Sequence, residues 1–116
     1  MLVELGKELR MIRLSENELL KDMAKRINVA PSYLSAIENG KRRPTKNLLD
    51  NIIHSYKLSD STIQSLKDAY SKTMQQIDID LNDADEHQKK LGLVFARKFN
   101  ELDTEQIEKI LKILSK

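Results

Sequence analysis

The chain has 116 residues, with 20 Lys and Arg against 18 Asp and Glu, a formal net charge of +2 and no cysteine. The lack of cysteine excludes disulfide scaffolds, thiolate zinc fingers and cysteine nucleophiles, and no apolar run reaches the roughly 18 residues that a membrane span requires. Aromatic residues make up only 4%, with three glycines and two prolines, so the composition predicts an all-α, soluble, cytoplasmic protein rather than a β fold.

The first three predicted helices are short and amphipathic. The first is interrupted at Ser15–Asn17, and the second ends at Asn28, a residue that tolerates the left-handed conformation of a tight turn. The third spans Pro31–Glu38, because proline suits a first helical turn and Asn39-Gly40 is a strong stop signal.

Two more helices complete a small domain. Thr45 is a natural N-cap for the fourth helix, and the fifth runs from about Asp60 to Lys72. We therefore predict a five-helix domain over residues 1–73.

The charges are unevenly distributed along the chain. Residues 1–73 carry 13 basic and 9 acidic side chains, whereas residues 74–116 carry 7 basic and 9 acidic ones. Four of the cations lie within Lys41–Lys46, which we name the basic loop, and five carboxylates lie within Asp78–Glu86. This asymmetry indicates that one half of the chain meets an anionic surface and the other does not, and ordinary scatter of surface charge is the alternative.

The remaining residues predict a short extended segment and a C-terminal helical hairpin. Ile77–Leu81 alternates apolar and acidic residues, which is typical of a short half-buried strand or an extended linker. Asp83 with Glu86, and Asp103 with Gln106, have the spacing of capping boxes that begin two helices.

Two short helices cannot bury their apolar stripes unaided. They must pack on the N-terminal domain, on each other, or on a second copy of the chain. We favour dimerisation through the C-terminal segment, residues 74–116. The apolar side chains expected at the dimer contact are Phe95, Phe99, Leu102, Ile110, Leu111 and Leu114.

The second and third helices have the spacing of a helix-turn-helix, in which the second helix of the pair enters the DNA major groove. A generic helix pair in an unrelated bundle is the alternative. The exposed start of the third helix offers short hydroxyl and methyl groups that suit base edges, from Ser32, Tyr33, Ser35 and Ala36. The basic loop follows directly, and its Lys41, Arg42, Arg43 and Lys46 are candidates for phosphate contacts.

Residues 5–58 resemble the lambda-repressor/Cro-like helix-turn-helix domain, also called the Xre family. The resemblance depends chiefly on Leu9-Arg10-x-x-Arg13, Met23-Ala24, and the run from Ser32-Tyr33-Leu34-Ser35 to Gly40-Lys41-x-x-Pro44. It implies a five-helix domain that binds operator DNA as a two-fold dimer. It also implies that Asn39 and Lys41 contact the sugar-phosphate backbone, and that Arg13 and Glu38 form a salt bridge.

The sequence departs from the family pattern at the start of the second helix. The family usually has Ser or Thr followed by Gln there, whereas this chain has Leu19 and Leu20. The phosphate contact at this position is therefore expected to be weaker or rearranged, with Asn17 as a possible cap and Lys21 or Lys25 as partial replacements.

No other pattern predicts a competing chemistry. His54 and His87 are far apart, and the aspartates after residue 77 lack the glycine and closing glutamate of a calcium loop. We expect no catalytic residue, metal or cofactor. The predicted function is a sequence-specific DNA-binding transcriptional regulator, a repressor that binds an inverted-repeat operator in double-stranded DNA as a homodimer. The alternative is an antitoxin that regulates its own operon and neutralises a partner protein through residues 74–116.

Overall fold

A computed structural model describes all 116 residues, which form seven α-helices and no strand. The all-α prediction is confirmed. The helices are α1 (Glu4–Glu16), α2 (Leu20–Arg26), α3 (Pro31–Glu38), α4 (Lys46–Ser55), α5 (Asp60–Met74), α6 (Glu86–Lys98) and α7 (Thr104–Leu114), with a 3-10 turn at Phe99–Glu101. They fall into two compact units, residues 1–77 and residues 78–116. None of the helices combines the length and the apolar character needed to span a membrane.

The first unit contains α1 to α5 around one hydrophobic core. Helix α1 packs against α2, α3 and α5, and α2 packs against α3. Every helix of the unit contributes apolar side chains to this core. The largest fully buried side chains are Leu5, Leu9, Met23, Ile27, Leu34, Ile37, Ile52 and Leu66.

Several helix boundaries of the first unit lie where the sequence predicts them. Asn28 adopts the left-handed conformation with φ 59°, and Gly40 does so with φ 75° just after α3. The Thr45 hydroxyl accepts a hydrogen bond from the Leu48 amide at 3.1 Å, as expected of an N-cap. These ends are set by local hydrogen bonds and backbone geometry, which explains why they can be predicted from single residues.

Of the two alternatives for Ile77–Leu81, the strand is absent and a segment without helix or strand is found, with its first four residues exposed. The predicted start of α6 is wrong in detail. The N-cap of α6 is Asp85 rather than Asp83: Asp85 accepts from the Gln88 amide at 2.8 Å and the Gln88 side chain accepts from the Asp85 amide at 2.9 Å. Asp83 instead lies within a turn closed by the Ala84 amide and the Leu81 carbonyl.

The two helices of the second unit leave their apolar side chains largely uncovered. Neither α6 nor α7 contains a buried residue. The Phe95 and Phe99 rings meet edge to face with centroids 5.6 Å apart, but Phe99 itself remains 59% exposed. The predicted Asp103–Gln106 capping box is present at the start of α7.

A polar cluster joins the start of α2 to the end of α4 in the first unit. The Tyr56 hydroxyl donates to the Glu18 carboxylate at 2.6 Å, and the Arg26 guanidinium lies 3.9 Å from the centroid of the Tyr56 ring. Arg26 also donates to Glu18 and to the Ser55 carbonyl. Burial, followed by the hydrogen bond to Glu18 and its negative charge, raises the pKa of Tyr56 above its ordinary value.

We expect Tyr56 to make the fold less stable at alkaline pH. Since its pKa in the folded chain is raised, its contribution is fully present below the unfolded pKa of about 10 and is lost as the pH rises above that value. Urea unfolding at a series of pH values should show a steeper alkaline fall in stability for the wild type than for Tyr56→Phe. Equal slopes for the two proteins would contradict this assignment.

Candidate nucleic-acid interface

Helices α2 and α3 are joined by a turn that is fixed from both sides. The Val29 amide donates to the Ala24 carbonyl at 2.9 Å, and the Asn51 side chain of α4 donates to the Ile27 carbonyl at 2.8 Å. Ala24 is completely buried, so its small side chain lies where α2 and α3 approach closely. The angle between the two helices is thus determined by packing and by hydrogen bonds from a third helix.

The predicted base-reading residues lie on the outward side of α3. Ser32 is exposed, and Tyr33, Ser35 and Ala36 are half-buried, while Leu34 and Ile37 of the same helix are buried in the core. A hydroxyl can donate to or accept from a base edge, and a methyl group suits the thymine methyl. No acidic side chain lies in the first turn of α3, so nothing there repels a phosphate.

A buried ion pair fixes the other end of α3. Arg13 of α1 donates through both terminal nitrogens to the two oxygens of Glu38, with Nη2 3.0 Å from Oε1. Arg13 is 6% and Glu38 2% exposed, and the Arg13 guanidinium also lies 3.4 Å from the Met23 sulfur of α2. This bidentate pair joins α1 to α3 at the crossing of three helices.

Most polar groups at the start of the basic loop are used within the protein. The Lys41 and Arg42 amides both donate to the Ala36 carbonyl, and the Asn39 side-chain nitrogen donates to the Ser35 carbonyl at 2.9 Å. The amides of Arg43, Thr45 and Lys46, further along the loop, have no hydrogen-bond partner within the protein. Contacts with DNA at this loop are therefore open to these amides and to the cationic side chains.

Those cationic side chains differ in their surroundings. Lys41 and Lys46 are exposed and form no ion pair. The Arg42 guanidinium lies 4.9 Å from the Tyr33 ring centroid, within the range of a cation–π contact, so it is held beside the first turn of α3. Arg43 donates to the Met74 carbonyl at 3.1 Å and so caps the C-terminus of α5. The sequence provided no signal for this last contact, which spans 31 residues.

The N-cap position of α2 offers no polar side chain for a phosphate. The N-cap is Leu19, which is 62% exposed, and its amide donates to the Asp22 carboxylate at 2.8 Å. Asn17 does not cap α2; it is the left-handed C-cap of α1, with φ 57°. Lys21 and Lys25 are exposed and remain available.

A close approach that the sequence did not reveal joins α1 to α3. A Cβ atom on Gly6 would lie 2.3 Å from the Glu38 carbonyl oxygen, and the Val3 amide donates to that same oxygen at 2.9 Å. The glycine therefore permits the contact that brings Glu38 within reach of Arg13.

The structure brings no group of three or more His, Cys, Asp or Glu side chains into a metal-binding arrangement. His54 and His87 are both exposed.

Comparison with protein families matches residues 9–63 to the family described as helix-turn-helix. Neither the curated proteins nor the solved structures gave a match.

Proposed function

We propose that the chain is a repressor that binds an inverted-repeat operator as a homodimer. The proposal starts from the match of residues 9–63 to the helix-turn-helix family of lambda repressor-like, or Xre, DNA-binding transcription regulators. The observation that supports the proposal is the juxtaposition of an exposed, acid-free first turn of α3 with the cations of the basic loop. Helix α3 would read bases from the major groove while the loop grips phosphates and sets the register.

In this proposal, the residues divide into two roles. Base reading is assigned to Ser32, Tyr33, Ser35 and Ala36. Phosphate contact is assigned chiefly to Lys41, Arg42 and Lys46, with smaller contributions from Asn39 and Arg43, whose donors are already used inside the domain. The Arg13–Glu38 pair holds α3 in the orientation that this requires.

A two-fold dimer would present two α3 helices to successive major grooves about 34 Å apart. We assign dimerisation to the second unit, through the exposed or half-buried apolar residues Phe95, Phe99, Leu102, Ile110, Leu111 and Leu114. A chain truncated after Ile77 keeps all five helices of the first unit and should sediment as a monomer. A truncated chain that remained dimeric would contradict this assignment.

Footprinting of the purified chain on the DNA upstream of its own gene tests the proposal directly. We expect protection of two half-sites one helical turn apart, and lowered transcription of a reporter placed behind them. Binding that is indifferent to DNA sequence would overturn operator recognition, and raised transcription would overturn the repressor role.

Single substitutions should separate base reading from phosphate contact. Lys41→Ala is expected to weaken binding to all sequences equally and to lower the slope of log K against log salt by about 0.9, the value for one lost phosphate contact. Ser32→Ala should leave that slope unchanged and alter the preferred operator sequence. Binding titrations at several salt concentrations measure both effects.

Arg43→Ala is the matched control for Lys41→Ala, since it removes the same charge from the same loop. Its guanidinium is engaged with the Met74 carbonyl, so it should change the salt slope less than Lys41→Ala does. A larger slope change for Arg43→Ala would show that the α5 cap opens when DNA binds.

The exposed apolar side chains of α6 and α7 also favour a second candidate function, that of an antitoxin whose second unit covers a partner protein. Deletion of the gene would distinguish the two functions. Loss of an antitoxin arrests growth while its partner is intact, whereas loss of a simple repressor only raises transcription of its targets.

A further inference from the structure

An open cavity of about 550 Å³ lies in the first unit between α1, the start of α2 and the outward side of α3. Its wall includes Ser35 and Asn39 near the end of α3, Arg10 of α1 and Leu19 at the N-cap of α2. The cavity therefore borders the face of α3 to which base reading is assigned.

Arg10 is the one charged side chain of the cavity wall that has no charged partner within the protein. The wall carries three other charged residues, and each of them is engaged: Arg13 pairs with Glu38, and Glu18 pairs with Arg26. Arg10 is exposed and forms no ion pair. A lone cation beside carboxylates that are already neutralised favours an anionic ligand from outside the chain.

The cavity lies along one edge of the outward face of α3, and the contact between Arg42 and the Tyr33 ring lies along the other. At 3.6 residues per turn, Ser35 and Tyr33 are about 160° apart around the helix. The major groove of B-DNA is about 12 Å wide, close to the diameter of a helix with its side chains, and a phosphate backbone runs along each side of it. When α3 lies in the groove, one backbone therefore meets Arg42 and the other meets the cavity.

We propose that Arg10 binds a backbone phosphate of DNA in this cavity, on the side of the groove opposite the backbone that Arg42 meets. This contact depends on the proposed operator-binding function and adds to it a phosphate-binding residue from α1, outside the helix-turn-helix pair. Leu14 and Leu19, 74% and 62% exposed at the cavity, supply apolar surface for the deoxyribose carbons on either side of that phosphate.

Neutralising Arg10 tests the contact in binding titrations at several salt concentrations. R10Q should weaken binding to every DNA sequence about tenfold and lower the slope of log K against log salt by about 0.9, the value for one lost phosphate contact. R10K keeps the charge and should keep the wild-type slope. Because Arg10 is exposed and unpaired, both variants should unfold at the same urea concentration as the wild type.

K57Q is the matched control, because Lys57 is an exposed, unpaired cation of the same unit on the other side of α1. Lys57 lines a separate cavity together with Glu8, which lies about 160° from Arg10 around α1. K57Q removes one positive charge, as R10Q does, and should leave the salt slope unchanged. An equal change of slope in K57Q and R10Q would mean that net charge alone matters, and it would overturn the contact.

A neutral phosphate analogue locates the contact on the DNA. A series of duplexes is prepared, each with one phosphate replaced by an uncharged methylphosphonate. At one phosphate in each half-site the wild type should lose affinity while R10Q loses none, because the two changes remove the same interaction. Losses that add at every phosphate would contradict a direct contact with Arg10.

The outcomes separate this contact from operator recognition. A wild-type chain that footprints its operator, with R10Q keeping the wild-type salt slope, would overturn the Arg10 contact alone. A wild type that binds all sequences equally, with a slope that R10Q lowers, would overturn operator recognition and leave the Arg10 contact intact. A wild type that binds no DNA would overturn both.

Discussion

Replacing Glu38 by Gln is expected to lower the free energy of unfolding by about 3–5 kcal/mol, because it leaves the Arg13 guanidinium buried without a counter-charge. Arg13 is only 6% exposed, so water cannot take the place of the lost carboxylate. The amide keeps the shape of the carboxylate but accepts through only one oxygen. Urea unfolding followed by circular dichroism measures the loss.

The double variant Arg13→Met/Glu38→Leu separates the penalty of a stranded charge from the value of the pair itself. Buried ion pairs replaced by apolar residues of similar volume are often neutral or more stable, so the double variant should recover most of the stability that Glu38→Gln loses. A Glu38→Gln protein within about 1 kcal/mol of the wild type would show that the guanidinium reaches solvent, contrary to the burial described above.

Loss of the Arg13–Glu38 ion pair should also affect DNA binding. Because Arg13 ties the C-terminal end of α3 to α1, a disturbed pair would allow the outward face of α3 to shift. We expect Glu38→Gln to weaken operator binding at temperatures where the domain is still folded, without any change in the salt slope. The unchanged slope would distinguish a shifted α3 from the loss of a phosphate contact.

The substitution Gly6→Ala is expected to destabilise the first unit by about 3 kcal/mol. The new methyl group would lie 2.3 Å from the Glu38 carbonyl oxygen and 3.0 Å from its carbonyl carbon and Cα, all backbone atoms that cannot turn aside. Helix α1 must then move away from α3, which strains the packing and breaks the hydrogen bond from the Val3 amide. Thermal and urea unfolding measure the effect.

Gly92→Ala is the control for this prediction. Gly92 also lies inside a helix, but its new Cβ would meet only the flexible Leu81 side chain, at 3.4 Å. Alanine is the better helix former by about 1 kcal/mol, so Gly92→Ala should leave α6 as stable as before or slightly more stable. If Gly6→Ala changed the free energy of unfolding no more than Gly92→Ala does, the close approach of α1 and α3 described above would be contradicted.

Local signals in the sequence were sufficient to predict where most helices begin and end. Asn28, Gly40 and Thr45 each act within four residues of their own position, through a left-handed backbone or a side-chain cap. The same locality explains the errors. Asp83 and Asp85 both have a suitable residue three positions later, and Asn17 can end one helix as readily as it can begin the next.

Tertiary contacts give the cationic side chains of the basic loop different surroundings, which the sequence does not distinguish. From the sequence, Arg42 and Arg43 are equivalent cations, yet one stacks on Tyr33 and the other caps α5 through Met74. Asn39, a predicted phosphate contact, donates one hydrogen bond from its amide nitrogen to the Ser35 carbonyl. The Arg43–Met74 contact is not identifiable from spacing, because it depends on where α5 ends.

The order of amino acids alone specified an all-α chain, its helix-turn-helix and the loop of cations that follows α3. Those features arise from periodicity, capping and charge along neighbouring residues. Only the folded structure decided which cations of the basic loop are free and why residue 6 must be glycine. It also showed that the apolar stripe of α7 lies uncovered within its own unit. These depend on atoms brought together from residues far apart in the chain, where side-chain packing and competing hydrogen bonds, not local preference, determine the outcome.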